Sequence, residues 1–393
     1  MQTSNKFHDE RNCTAPVSNS LDVLAVLCRK PVASRADLVS MTGLSPATIS
    51  RAVAHLRREG LVSERTVPGH GVGRPPTVVQ LEPEAASVLG IDAGGSRIRV
   101  LLTDLEGRVQ SRATRVLRVT KRADAVTTAI ADLVRTIAER APGRVVAAAA
   151  GISGIVDHDE GEVLLSPDLP GLNGRPVAQL LSDQLGIPVT VDNDDLLAAV
   201  GEAAFGAAQG CADVVFLSLG HGLGAGLIVD GRPVRGARSS AGAIAYLAPG
   251  RLEDRASGRA IPSRFLERRA VRKGTRVTVT AERVFELAHD GDRDATAVVD
   301  EAVDALGDAV IDVAALLDPD IVVLGGGLVA EVGLVERLQQ RVSSALPFPP
   351  RLVGSALGED AVARGAASVA LAHAQRALAG VPATTDLTNR SSA

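Results

Sequence analysis

Val88-Leu-Gly-Ile-Asp-Ala-Gly-Gly-Ser96 is a short apolar strand that runs directly into a glycine turn. Such a turn lets backbone amides and a hydroxyl approach a phosphate closely, and it leaves Asp92 able to hold Mg²⁺ through water. The same grammar recurs downstream. An apolar strand over 145–151 ends in Gly151-Ile-Ser-Gly154 with Asp157 nearby, and 189–191 runs into Asp192-Asn-Asp194. Residues 214–219 lead into Gly220-His-Gly-Leu-Gly-Ala-Gly226 and a hairpin at Asp230-Gly231, and 321–324 lead into Gly325-Gly-Gly327. Helical periodicity fills the gaps over 123–141, 194–208, 257–272, 280–290 and 294–317. Strands alternating with helices, each half presenting a glycine turn after a strand, predict a duplicated α/β fold with a cleft between its halves. Glycine turns that only let strands end sharply are the competing reading.

Upstream of Glu82-Pro83 the pattern is different. Leu21, Leu24, Ala25, Leu27 and Cys28 have helical spacing and stop before Pro31. Ser34 opens a short second helix closed by Gly43, and Ser45-Pro46 opens a third that runs through Ile49, Val53 and Leu56 to Gly60. Residues 61–65 and 77–81 have strand character, separated by a tip rich in glycine and proline. This is the outline of a winged helix-turn-helix. Its third helix buries Ile49, Val53 and Leu56, which leaves Ser45, Thr48, Ser50, Arg51 and His55 as candidates for base edges in a major groove. Arg57 and Arg58 suit either phosphates or the helix dipole. Arg74, in Gly73-Arg-Pro-Pro76, is slim enough to enter a minor groove, although the same four residues also make a rigid linker.

Charge supports this division. Residues 1–80 carry ten Lys and Arg against six Asp and Glu, whereas 81–393 carry 32 against 40. A basic head on an acidic body makes duplex DNA a candidate partner for the head alone. The hydrophobic content of 46% with 22% charged residues can bury sizeable cores. No apolar stretch approaches the roughly 20 residues of a membrane span, and the first 20 residues are polar, so a cytoplasmic protein is expected. Three scattered cysteines suggest neither a disulfide framework nor a zinc site, and no two of the seven histidines have metal-ligand spacing.

The ordered series of glycine turns and acidic residues resembles the ROK family (repressors, open reading frames and sugar kinases), within the actin-like sugar kinase superfamily. It extends from about residue 20 to 378, and the winged head resembles that of the family's xylose- and N-acetylglucosamine-responsive repressors. The fold this implies is multidomain: an N-terminal winged helix-turn-helix followed by a duplicated α/β actin-like ATPase fold. The boundaries expected are a mobile arm 1–18, a head 19–82, a first lobe 86–193 with a C-terminal helix 362–380, a second lobe 194–361 and a disordered tail 381–393. The resemblance implies nucleotide loops at Asp92, Gly94, Gly95, Ser96, Gly222, Gly224, Gly325 and Gly326, and sugar contacts at Asn193, Asp194 and Glu253. Asp194 matches the kinases' general base; on the residues alone it equally caps the following helix, and Glu253 equally reads as a surface carboxylate.

Departures from the pattern carry weight. Where kinases and sugar-responsive members have Gly-Glu-x-Gly-His, this chain has Gly242-Ala-Ile-Ala-Tyr246, and the loop that follows contains no cysteine. Zinc is not expected. Losing two hydrogen bonds to charged groups, at roughly 1.5–3 kcal/mol each, removes about 10² to 10⁴ in affinity for the family's usual hexose. The expected function is therefore a DNA-binding transcriptional regulator, a repressor, that needs no cofactor to bind its operator and responds to a sugar-like effector. As a homodimer or homotetramer it would place two heads on a pseudo-palindromic site. The alternatives are a sugar kinase using ATP and Mg²⁺ with Asp194 as general base, or a body that serves only as a dimerisation scaffold.

Overall fold

In a computed structural model that describes residues 15–66, 77–117, 123–247, 252–269, 278–331 and 333–380, the head begins with helix α1 (Ala15–Arg29). Residues 15–18, expected in the arm, belong to this helix. Pro16 fits there because the first helical turn has no use for its missing N–H. The remainder of the arm (1–14), the tail 381–393 and the wing tip with Arg74 lie outside the described residues. Strand β1 (Val32–Ser34) leads into α2 (Arg35–Thr42), where Ser34 and Asp37 cap each other's amides and Gly43, at φ 71°, closes the helix. Helix α3 (Pro46–Arg58) starts at the Ser45 cap with Pro46 in its first turn. β2 (Val62–Thr66) and β3 (Thr77–Leu81) form the wing, with β1 completing a sheet of order β1-β3-β2.

The body contains two five-stranded sheets. In the first, β4 (Ala86–Ala93), β5 (Arg97–Asp104) and β6 (Val109–Val116) run antiparallel. After α4 (Ala123–Ala138), β7 (Arg144–Ile152) lies parallel to β4. The hairpin β8 (Ile155–Asp157) and β9 (Glu162–Leu165) and helix α5 (Val177–Leu185) then precede β10 (Val189–Asn193), parallel to β7. Helix α6 (Asp194–Phe205) leads to the second sheet, begun by β11 (Val214–Leu219), β12 (Leu223–Val229) and β13 (Arg232–Pro233). After α7 (Glu253–Ala256), α8 (Ala260–Arg268), α9 (Ala281–His289) and α10 (Arg293–Leu317) comes β14 (Ile321–Gly325). Helix α11 (Leu334–Ala345) and β15 (Arg351–Gly354) follow, and α12 (Ala361–Leu378) ends the described chain. The sheet orders are β10-β7-β4-β5-β6 and β13-β12-β11-β14-β15. Counted within each half, both read third, second, first, fourth, fifth, so the duplication expected from the glycine turns is present in the topology.

Helices α6 and α12 lie against each other at backbone distance. A Cβ on Gly365 would stand 1.7 Å from the Leu197 carbonyl oxygen, and one on Gly201 would stand 2.4 Å from that of Ala361. On its other side α12 presses on the first sheet, where a Cβ on Gly90 of β4 would meet the Ala363 oxygen at 1.9 Å. The head is joined to this assembly. Leu24, Leu27, Ile49, Val53 and Leu56 share one buried apolar cluster with Val88, Leu105, Ala370, Ala374 and Leu378. At the seam, burial pushes the Cys28 thiol up to about 12 even though the Gln375 side chain hydrogen-bonds it.

Gly365→Ala forces a methyl group into the α6 backbone and is expected to destabilise the protein by about 1–3 kcal/mol or more. Gly327→Ala, where nothing lies within 4 Å, serves as the control; equal denaturation midpoints for the two would contradict the close crossing. Because the thiolate is the nucleophile, Cys28 is expected to alkylate at pH 8 at least about 10² times more slowly than a cysteine in an unfolded peptide. Rapid labelling of the native chain, followed by mass spectrometry of its peptides, would mean that the head is not docked on α12.

Candidate functional site

Two regions concentrate functional side chains, one on the head and one between the sheets. On α3, Ile49, Ala52, Val53 and Leu56 face inward. The opposite stripe, Ala47, Ser50, Arg51, Ala54 and Arg58, is exposed, and helical spacing puts these residues on one face. Ser45 is exposed, but its hydroxyl is engaged as the helix cap, accepting the Thr48 amide at 3.2 Å and lying 2.9 Å from the Thr48 hydroxyl. Thr48 and His55 are half-buried on the flanks.

Sequence reading missed Arg35, at the start of α2. It donates to the Ser50 hydroxyl at 2.6 Å and pairs with Glu64 of β2 at 2.7 Å, while Arg57 pairs with the other oxygen of Glu64 at 3.2 Å. The wing strand thereby orients two cations beside the exposed stripe. Ala47 and Ala54 were also missed; small side chains let a helix approach base edges and thymine methyl groups.

The second region is a cavity of ≈ 450 Å³ between the two sheets. The turn between β4 and β5 contributes Gly94 and Gly95, and the start of α6 contributes Asn193, Asp194 and Asp195. From the far side come Gly222 and Gly224, in the turn and start of β12, together with Glu253. Of the proposed nucleotide residues, Asp92, Ser96, Gly325 and Gly326 do not line it. Asn193, not Asp194, caps α6, its Oδ1 accepting the Leu196 amide at 2.8 Å while its Nδ2 donates to the Gly154 carbonyl. Asp194 is freed from capping because it occupies the first helical position.

Asp195, unremarked in the sequence, fills the space that glycine leaves at 224: a Cβ there would lie 1.8 Å from its Oδ2. Burial raises the Asp194 carboxyl well above the usual range, and the neighbouring Asp195 and Asp92 carboxylates raise it further. Burial pushes Asp195 up to about 6, against a hydrogen bond with Ser218. Glu253 is committed within the protein, with Oε1 on Arg259 at 2.7 Å and Oε2 accepting the Leu223 amide at 3.1 Å. The replaced segment 242–246 is present up to its short helical turn, whereas the loop 248–251 lies outside the described residues.

The carboxylate expected to hold Mg²⁺ is already paired. Asp92 is buried, with Arg99 of β5 at 3.1 Å, and Arg99 also pairs with Glu359 just before α12. Burial pushes Asp92 up to about 6 despite that guanidinium. Among the described residues no group of three or more His, Cys, Asp and Glu is arranged to hold a metal. The side chains around Asp92 therefore form an internal ion-pair chain, Asp92–Arg99–Glu359. Between the two halves, the buried Asp192 of β10 receives Arg235 from the second half at 2.7 Å and lies 3.2 Å from His158 Nδ1. Burial alone would raise Asp192, but His158 and Arg235 hold it below the usual carboxylate range.

Comparison with known proteins places this geometry. The model for the ROK family matches residues 88–373, and that for the MarR family matches 17–71. The xylose repressor of Caldicellulosiruptor bescii is 27% identical over 331 residues, covering 78% of this chain and 82% of that protein. A solved ROK family transcriptional regulator, described as a homolog of the E. coli MLC protein, superimposes with a TM-score of 0.77 at 25% identity, covering 93% of this chain and 98% of that one. A ROK glucokinase from Streptomyces griseus, solved with glucose and AMPPNP, gives 0.63 at 28% identity and covers 72% of this chain and 99% of its own. With the family model spanning both sheets and the cleft between them, the chain belongs to the ROK family.

Proposed function

We propose that this protein is a cytoplasmic DNA-binding transcriptional repressor whose body senses a sugar-like effector in the cleft between the two sheets. The observation that carries the reading is the exposed stripe Ala47, Ser50, Arg51, Ala54 and Arg58 on a helix whose buried side shares its core with α12. The resemblance to a xylose repressor over most of its length supports it.

In this reading Ser50 and Arg51 meet base edges, and Ser45, Thr48, His55 and Arg58 border the groove. Arg74 takes the flanking minor groove. Two heads in a homodimer or homotetramer bind successive half-sites. Asn193, Asp194 and Glu253 surround the effector. No helix among the described residues is long and apolar enough to cross a membrane.

The head is fastened to the first half, so it follows that half as a rigid attachment. An effector that draws the halves together, across the Asp192–Arg235 bridge, changes the spacing of two heads and loosens DNA. This requires different effector affinities in the two arrangements. The kinase reading rests on the buried Asp194, poised for a proton, but the engaged Asp92 counts against it.

Footprinting on DNA adjoining the protein's own gene is expected to show a protected pseudo-palindrome; binding indifferent to sequence would reject the repressor reading. Arg51→Ala is expected to cost about 1–3 kcal/mol on that site and to relax base preference, whereas Arg58→Ala weakens all sequences alike and lowers the salt slope by about 1. With ATP, Mg²⁺ and a panel of monosaccharides, no ADP release above background is expected; turnover abolished by Asp194→Asn would establish the kinase instead.

A further inference from the structure

We infer that the Ser50 hydroxyl is held as a hydrogen-bond donor toward DNA, so that the base it meets is guanine or thymine, and that Arg35 and Glu64 are the positioning residues that set this preference. The inference rests on the repressor reading above and takes it from a helix face to a class of base.

A serine hydroxyl donates one hydrogen bond and accepts two, so one that rotates freely reads donors and acceptors alike. Here its direction is constrained. Arg35 Nη1 donates to Ser50 Oγ at 2.6 Å, and because a guanidinium only donates, the serine oxygen is the acceptor. Hydroxyls on helices can give their proton to the carbonyl four residues back, as Thr42 gives to Leu38 and Ser263 to Arg259. Ser50 does not. Among the described residues Arg35 is its one hydrogen-bond partner, and the residue is exposed, which leaves the proton for whatever lies outside α3.

Arg35 is itself held in place. Its Nε and Nη2 both donate to Glu64 Oε1, at 3.2 and 2.7 Å, and Oε2 of the same carboxylate takes Arg57, in the last turn of α3, at 3.2 Å. A planar fork clamped through two of its nitrogens has one direction left for the third. Glu64 lies on β2 with its side chain 19% exposed, so one carboxylate ties α2, α3 and the wing together. Partly exposed ion pairs add little stability. What this one fixes is direction.

A hydroxyl that accepts from a cation is polarised into a better donor, and the guanidinium behind it repels amino hydrogens in front. In the major groove guanine presents O6 and N7 and thymine presents O4, all acceptors, whereas cytosine presents only its amino group and adenine one group of each kind. A single hydrogen bond made with one base and lost with another changes affinity about three- to tenfold.

The test uses the full-length chain on its footprinted operator, with each base pair of one half-site replaced in turn and affinity measured by gel shift at fixed salt. Ser50→Ala identifies the position that Ser50 reads, as the one whose base preference flattens. There the unmodified protein is expected to favour guanine or thymine over cytosine about three- to tenfold. A preference for cytosine, or no position that Ser50→Ala changes, overturns the inference and leaves the repressor reading standing. Binding indifferent to sequence removes both. Arg35→Met, which keeps the apolar stem, is expected to flatten the same position to within about twofold while the other positions keep their preferences. Uniform weakening on every sequence, with the salt slope lowered by about 1, makes Arg35 a phosphate contact and overturns its positioning role. Thermal melting of each variant checks that the head is folded, and Glu64→Gln, nearly the same in shape, carries the test should Arg35→Met unfold. It is expected to relax that position alone, and an unchanged preference there overturns the inference.

Discussion

Helices α6 and α12 cross with no side chain between them, because Gly201 and Gly365 occupy the point of contact. Interiors are close-packed, so a methyl group at either position displaces a backbone. This contact sets the rest of the geometry. From it α6 carries Asp194 and Asp195 to the cleft floor, and α12 continues along the first sheet to the head. Gly90 brings β4 to the same level on the opposite side of α12. Ligand site, lobe and head thus meet on two helices whose close approach depends on those two glycines.

An electrostatic substitution accompanies this arrangement. At Asp92, the carboxylate that the glycine turn offered to Mg²⁺, Arg99 supplies a positive charge covalently attached to the fold, shared between Asp92 and Glu359. The charge tethers β5 to the start of α12, an element that in turn bears the head. Asp192 plays the corresponding part between the halves, joining β10 to the second half through Arg235. Two buried acids, each close to the cleft, are therefore spent on holding elements together.

Much of this was legible in the amino-acid order, and the reasons are physical. Ser34, Gly43 and Ser45-Pro46 mark helix ends through local hydrogen bonding and backbone angle, so the head's three helices fell close to where those residues predict them. Glycine turns announced the duplicated halves because a turn after a strand needs no distant partner. Helix α11 has a clear period at Leu334, Leu338 and Val342 but no motif to draw attention to it, and β1 is too short to show any period. Arg35 beside Ser50, Arg99 on Asp92 and Asp195 behind Gly224 are juxtapositions of residues 15, 7 and 29 positions apart. Side-chain pairings of that kind follow from tertiary packing, which no local pattern encodes. The same holds for Glu253, whose oxygens are claimed by Arg259 and the Leu223 amide.

The docking of the head on α12 also bears on how the protein is made. The residues that form α1 and α3 leave the ribosome early, yet Ala370, Ala374 and Leu378, which complete their shared core, are synthesised more than 300 residues later. Until then the nascent head presents an uncovered apolar flank, the kind of surface that chaperones retain and that favours misassembly. Operator-competent protein consequently emerges only once α12 has been made, so a polypeptide truncated before it that carries an intact helix-turn-helix sequence is a poor competitor for the operator.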